Sequence, residues 1–277
     1  MQHAIVTASQ YLATLRGSTN PIMVRANDGH FYVVKSISSV DRNNGLFNEV
    51  AGYKIFRRTG LPVPEWRPML ITQSFLDETQ ALRERDGAIG KRLEPGVWFA
   101  SRFAGRSDDT VFEVLPGSWI AQVKKRTNFW LAWIADICAA HTDNRQAVFA
   151  RGGDGTVVTY FIDHDNLLGG RTGCEEPHFR ASRYLDGRVY DRLTDDRISA
   201  ILASTTEMNV DGLWREMRDI PQEWQSSMAF HALGSCLERL ASADFVLDAL
   251  HLAASNSRPI EVLETVSPMP QKLVRAG

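Results

Sequence analysis

The stretch Phe129 to Ala140, FWLAWIADICAA, is apolar on nearly every face of a helix. A surface helix keeps one polar side for water, whereas a helix without such a side has to be wrapped by other elements. The helical pattern that contains it extends from Ile120 to Ala140, so the chain is expected to build a core around this segment. A length of 277 residues is enough for one large domain or two modest lobes.

The residues before this segment favour strands. Tyr11–Leu15 has strand character, and Arg16-Gly17-Ser18-Thr19-Asn20-Pro21 signals a loop. Ile22–Ala26, the turn Asn27-Asp28-Gly29 and Phe31–Ile37 predict a tight hairpin. Leu46, Val50, Tyr53 and Phe56 recur at helical spacing, which predicts a helix over 46–59 capped by Gly60. Leu61-Pro62-Val63-Pro64 then leaves in extended form. Met69–Ile71 and Ala88–Leu93 are further candidate strands, with a loop or short helix over 73–87. Trp98–Phe103 suits a connection between lobes, with a boundary near 100–108.

The second half is mainly helical. Gly152-Gly153-Asp154-Gly155 divides residues 145–163 into two short apolar runs, which predicts a hairpin. Helices are expected over 195–218 and 224–254, broken at Ile220-Pro221, with Gln222-Glu223 in the first turn of the later one. The tail from Asn256 carries Pro259, Pro268 and Pro270 and is expected to be extended. The expected architecture is α+β: a β-rich lobe over 1–103, a helical lobe over 104–255 and a tail over 256–277.

Composition narrows the classes of partner. Hydrophobic residues make up 44% and charged residues 23%, ordinary for a soluble globular protein. A formal net charge of −2 gives no electrostatic case for a nucleic-acid or anionic-membrane partner. Cys138, Cys174 and Cys236 show no metal-site or disulfide spacing, which suits a reducing cytosol. Met1–Leu15 lacks the basic start and cleavage site of a signal peptide, and no apolar run is long enough to span a bilayer. A cytoplasmic location is expected.

Four charged residues fall in an order that suits phosphoryl transfer. Lys35 ends a strand-like run, where its ammonium can act as a point charge on phosphates. Glu49 is expected in the first turn of the next helix, where it can orient the lysine and gains from the helix dipole. Asp143 follows the apolar helix in a polar stretch, where an ionised carboxylate can accept a proton from a substrate hydroxyl. Asp163 ends the strand-like run 156–163 and offers hard oxygen ligands to Mg²⁺. Taken singly, each is more simply a surface or turn residue; their order carries the argument. Gly17 and Ser18 can present backbone N–H groups to phosphates. No Walker Gly-x-x-x-x-Gly-Lys-Ser/Thr motif is present. His164-Asp165 with His141 admits a metal-dependent phosphohydrolase as a lesser alternative, though such a dipeptide normally lies on a helix and here follows a strand signal.

Several stretches together resemble the HipA-like kinases, in particular their short bacterial branch with an atypical protein-kinase-like fold. They are Phe-Tyr-Val-Val-Lys (31–35), Asn-Glu-Val-Ala-Gly-Tyr (48–53), Thr-Gly-Leu-Pro-Val-Pro (59–64), Gly-Val-Trp-Phe-Ala-Ser-Arg-Phe (96–103), His-Thr-Asp-Asn-Arg-Gln-Ala-Val-Phe (141–149), Tyr-Phe-Ile-Asp-His (160–164) and Ile-Pro-Gln-Glu-Trp (220–224). The resemblance implies a kinase using ATP and Mg²⁺ to phosphorylate a hydroxyl of a protein serine or threonine, or of a small molecule. Lys35 would contact phosphates, Glu49 would position it, Asp143 would be the base and Asp163 the metal ligand. Gly17, Ser18, Arg145 and Gln146 would lie near the nucleotide, and residues 89–103 would line the adenine pocket. One departure stands out: the asparagine usual five positions after the catalytic aspartate, a second metal ligand, is Val148. Gln146 or Asn144 is the candidate substitute. The alternative implied by that departure is a pseudokinase, a module that binds nucleotide or a partner without transferring phosphate.

Overall fold

The computed structural model describes residues 4–17, 19–36, 44–83, 93–105, 109–170 and 182–256. Five strands come first: β1 (Val6–Thr14), β2 (Ile22–Ala26), β3 (Phe31–Lys35), β4 (Trp66–Ile71) and β5 (Gly96–Arg102). In the order β1-β2-β3-β5-β4 they form a closed barrel. Closure comes from a parallel pairing, Val6 opposite Met69 and Thr7 opposite Leu70. The barrel interior follows from strand periodicity, which sends alternate side chains to one face. Val6 and Ala8, Ile22, Val24 and Ala26, Tyr32 and Val34, Met69 and Ile71, and Trp98 and Ala100 all join one apolar cluster. Phe75 and Leu76 of α2 (Gln73–Glu78) join the same cluster, and Thr72 caps that helix by accepting from the Phe75 N–H at 3.1 Å.

The hairpin expected around Asn27-Asp28-Gly29 is present, with Met23 opposite Val33 and Arg25 opposite Phe31. Gly29 has φ +83°, a conformation that favours glycine in a tight turn. Residues 96–102 differ from the expected lobe connection. They form the inner strand β5, paired with both β3 and β4, because their aromatic side chains alternate between the barrel interior and its outer face. The candidate strand Ala88–Leu93 lies, but for Leu93, outside the described residues, as does the tail beyond Asn256.

Helix α1 (Gly45–Arg58) is buried from Gly45 through Phe56. It ends where Gly60 takes φ +83° and the Leu61 N–H donates to the Phe56 carbonyl at 2.8 Å. Its apolar residues belong to the same core cluster as the C-terminal helices, not to the barrel interior.

The C-terminal part has a three-stranded sheet, β6 (Thr110–Phe112), β7 (Gln146–Arg151) and β8 (Val157–Ile162), in the order β6-β7-β8. The expected hairpin is β7–β8. Around it lie α3 (Thr127–Cys138), α4 (Asp195–Thr206), α5 (Val210–Arg218), α6 (Ser227–Ala241) and α7 (Ala243–Ser255). Helix α3 is buried throughout Phe129–Cys138, as its composition demands, with α4, α6 and α7 packed against it. It starts later than its hydrophobic pattern, because residues 117–122 form a 3-10 turn and Lys125 takes φ +52°. The two long helices expected after residue 195 are each divided. Asn209 accepts from the Gly212 N–H at 2.8 Å and starts α5, and Ser242 accepts from the Phe245 N–H at 3.2 Å and starts α7. Gln222 and Glu223 lie in a separate 3-10 turn rather than in a helix. No helix among the described residues is long and apolar enough to cross a membrane.

Candidate active site

Lys35 ends β3 and is 8% exposed, with its ammonium between carboxylates from two other parts of the chain. It donates to Glu49 of α1 and to Asp163, the residue after β8. Asp165 stands 3.5 Å away. Oxygens of Glu49, Asp163 and Asp165 all lie within 4.8 Å of one another. Burial alone would push the Lys35 amine down, but the charges of Glu49, Asp163 and Asp165 outweigh it and raise the amine above its ordinary value. Burial, with the neighbouring negative charges, pushes Glu49 up to about 7 against the pull of Lys35. Asp163 is held below the ordinary carboxylate value, because Lys35 outweighs its burial, while burial raises Asp165.

Glu49 is in the second turn of α1 rather than the first, since the helix begins at Gly45 and has no acidic residue in its first turn. Its position owes nothing to the helix dipole. One oxygen takes the Lys35 bond, and the other accepts from the His164 N–H at 3.1 Å. Asn48, beside it, donates to the carbonyls of Asp165 at 2.9 Å and Leu167 at 2.7 Å. Helix α1 therefore holds both Lys35 and the loop that follows β8.

The carboxylate group borders a cleft of about 190 Å³ between the barrel and the C-terminal sheet. Gly17, Val33 and Ser101–Ala104 line it from the barrel and the residues after it, and Val148 and Ile162 from β7 and β8. Val148 is buried with Ala104, Val111 and Ala150, so the position where an asparagine was expected contributes apolar surface to the cleft. Gln146 is exposed and also lines the cleft, and its register opposite Ile162 places it beside the residue before Asp163. Ser18 lies outside the described residues.

Two expected site residues sit elsewhere. Arg145 was expected near the nucleotide but is 2% exposed and points inward. Its Nε and Nη2 donate to Asp136 of α3 at 2.8 and 2.5 Å. Its Nη1 donates to the carbonyls of Ile162 at 2.7 Å and Asp163 at 3.2 Å. A charge this buried needs a partner, and Asp136, with no exposed surface, supplies it. Asp143 is exposed on the loop before β7, where its carboxylate accepts from the Asn144 N–H at 2.7 Å, and it is not among the residues lining the cleft. His141 is buried, with its Nδ1 3.4 Å from Asp136. The His164 ring packs 4.7 Å from that of Phe56, with Nδ1 3.2 Å from Arg145. Neither histidine joins the carboxylate cluster.

Asp165 and Asp136 were not singled out for these places by sequence reasoning. Asp165 had a signal, an Asp-x-Asp pair at a strand end. Asp136 had another: a lone acid within an otherwise apolar helix requires a buried partner.

A strand barrel, a buried helix whose glutamate meets a strand lysine, and a mainly helical C-terminal part with its own small sheet define a protein-kinase-like fold. The sequence model of the HipA-like kinase family matches residues 11–143, a span that includes Lys35, Glu49 and Asp143 and stops short of Asp163. Among solved structures, the proinflammatory kinase CtkA of Helicobacter pylori is similar at 13% identity and a TM-score of 0.53, over 86% of this chain and 94% of that one. The Golgi casein kinase, in a crystal structure with Mn/ADP bound, aligns over 92% of this chain and 74% of its own at 11% identity. Its TM-score is 0.49. No curated protein matches the chain. The family match covers just under half of the chain, and the likeness to CtkA shows a shared fold.

Proposed function

We propose that this chain is an ATP- and Mg²⁺-dependent kinase that transfers the γ-phosphate to a hydroxyl, of a protein serine or threonine or of a small molecule. The observation that carries the reading is the meeting of Lys35, Glu49 and Asp163 in the lining of one cleft. The residues fit both groups. Three carboxylates against one ammonium leave surplus negative charge made of hard oxygen donors, the chemistry Mg²⁺ takes. Val33, Val148 and Ile162 offer an apolar slot to a flat base, and Gly17 allows close backbone approach at the phosphate end.

Lys35 would bind phosphate oxygens as a point charge, with Glu49 fixing its direction. Asp163 would hold the metal, and Gln146 would offer an amide oxygen in place of the expected asparagine. Bound magnesium would supply positive charge to neutralise the phosphates as the transfer proceeds. Asp143, exposed on the loop before β7, would accept the hydroxyl proton of the substrate. Phosphoryl transfer depends chiefly on positioning and charge, which this arrangement favours. The phosphohydrolase alternative is disfavoured, because both histidine rings are buried in contacts with Arg145, Asp136 and Phe56.

The test is mass spectrometry after incubation with ATP and Mg²⁺ and candidate hydroxyl substrates, wild type beside Asp143→Ala. Phosphate on wild-type reactions alone supports the kinase. Equal phosphate from both proteins removes Asp143 as the base. Nucleotide binding with no transfer to any substrate favours the pseudokinase.

A further inference from the structure

We propose that the buried Asp136–Arg145 pair is a positioning device for the metal-binding carboxylate of Asp163, a role that rests on the kinase reading above. Asp163 is a non-glycine residue at φ +63°, a left-handed conformation that side-chain-bearing residues seldom adopt without support. The carbonyls on either side of that strained position, of Ile162 and Asp163, both accept from Arg145 Nη1 at 2.7 and 3.2 Å. Asp136 takes the other edge of the same guanidinium in two bonds. The planar fork therefore converts the fixed position of α3 into a fixed backbone turn at Asp163. From the opposite side, the Glu49 carboxylate takes the next N–H, that of His164. Held between the two, Asp163 directs its carboxylate to Lys35 and into the cleft.

A plain core ion pair would need no contact with the residue that bears the metal. Here Nη2 also faces the His141 ring at 3.3 Å, but Nη1, which Asp136 does not use, goes wholly to the segment 162–164: the two carbonyls and the His164 ring at 3.2 Å. Asp136 and Arg145 neither line the cleft nor join the carboxylate group, and they act through Asp163, as outer partners of metal ligands do.

The experiment measures ATP affinity by calorimetry, with Mg²⁺ and with EDTA, for wild type, Asp136→Asn and Arg145→Lys. Asp136→Asn keeps the side-chain shape. Arg145→Lys keeps the charge beside Asp136, loses the fork, and carries the test if the first variant does not fold. The expected result is a Mg²⁺-dependent gain in ATP affinity that drops about 10- to 100-fold in the variants, with metal-free affinity close to wild type. Variants that melt earlier but keep the wild-type ratio of the two affinities would overturn the proposal and leave a structural pair. Equal loss with and without metal would overturn it as well, since the whole cleft would then be disturbed. A wild type that binds no ATP in either condition would instead remove the kinase reading, and this role with it.

Discussion

Gly52 in α1 is where two opposing effects can be separated. A Cβ added there would lie 2.4 Å from both Cβ and Cγ of His164 and 2.7 Å from its Nδ1. His164 has little room to retreat, with the Phe56 ring at 4.7 Å and Arg145 at 3.2 Å. In a helix, alanine is favoured over glycine by about 1 kcal/mol. Overpacking a tight core site costs roughly 1–3 kcal/mol. The added atom is fixed to the backbone and cannot rotate away, so the upper part of that range applies. Gly52→Ala should then destabilise by roughly 1–2 kcal/mol net. At roughly 2–4 °C per kcal/mol for a chain of this size, the melting temperature should fall by about 2–8 °C. His164 follows Asp163 directly, so the stabilisation produced by ATP and Mg²⁺ should shrink as well. Thermal unfolding with and without MgATP measures both. A higher melting temperature with an unchanged nucleotide response would show that helix propensity governs this site, and would refute the argued contact between α1 and the loop after β8.

Lys35→Met should lose the nucleotide-dependent rise in melting temperature. It should also destabilise the protein by roughly 3–5 kcal/mol, read from denaturant unfolding, because it strips the buried carboxylates of their ammonium partner. Asp136 is held below its ordinary value of 3.8, Arg145 outweighing its burial, so its contribution is complete above that value and is lost as pH falls through the lower, folded one. Wild-type melting temperature should therefore drop as pH goes below about 4, and Asp136→Asn, less stable at neutral pH, should show a flatter acid limb. Glu216 joins Lys54 and Arg58 of α1 to α5 at 3.0 and 2.8 Å, but its side chain is 40% exposed. Glu216→Ala should cost no more than about 1 kcal/mol, and less in high salt.

Local chemistry made part of this fold legible. Asn27-Asp28-Gly29 marks the β2–β3 turn, the spacing of Leu46, Val50, Tyr53 and Phe56 marks α1, and Gly152–Gly155 marks the β7–β8 turn. What was missed depends on distant partners. The pairing of Val6 with Met69 that closes the barrel has no local signal, and Trp98–Arg102 is equally suited to a strand or a connection until β3 and β4 flank it. Strand β6 has three residues, too few to show a period. Of the four charged positions that stood out by order along the chain, Lys35, Glu49 and Asp163 come together and Asp143 does not line the cleft. Arg145 was misplaced because an arginine next to a candidate carboxylate resembles a phosphate binder, and its true partner lies nine residues earlier within an apolar helix.

Helix α1 also sets a timetable for synthesis. It is made early, yet its apolar side belongs to a core completed by residues as late as Leu250 and Ala253, and Phe47 meets the ring of Phe230 at 5.0 Å. A nascent chain carries Leu46, Phe47, Val50, Ile55 and Phe56 without their partners while the rest is translated, roughly 10–40 s at ordinary elongation rates. The barrel strands after α1 can pair with one another in that interval, but the helix bearing Glu49 has nowhere to dock. A chain cut before α6 and α7 would keep Lys35 on its strand but leave Glu49 on a helix whose apolar side stays uncovered, an aggregation-prone fragment.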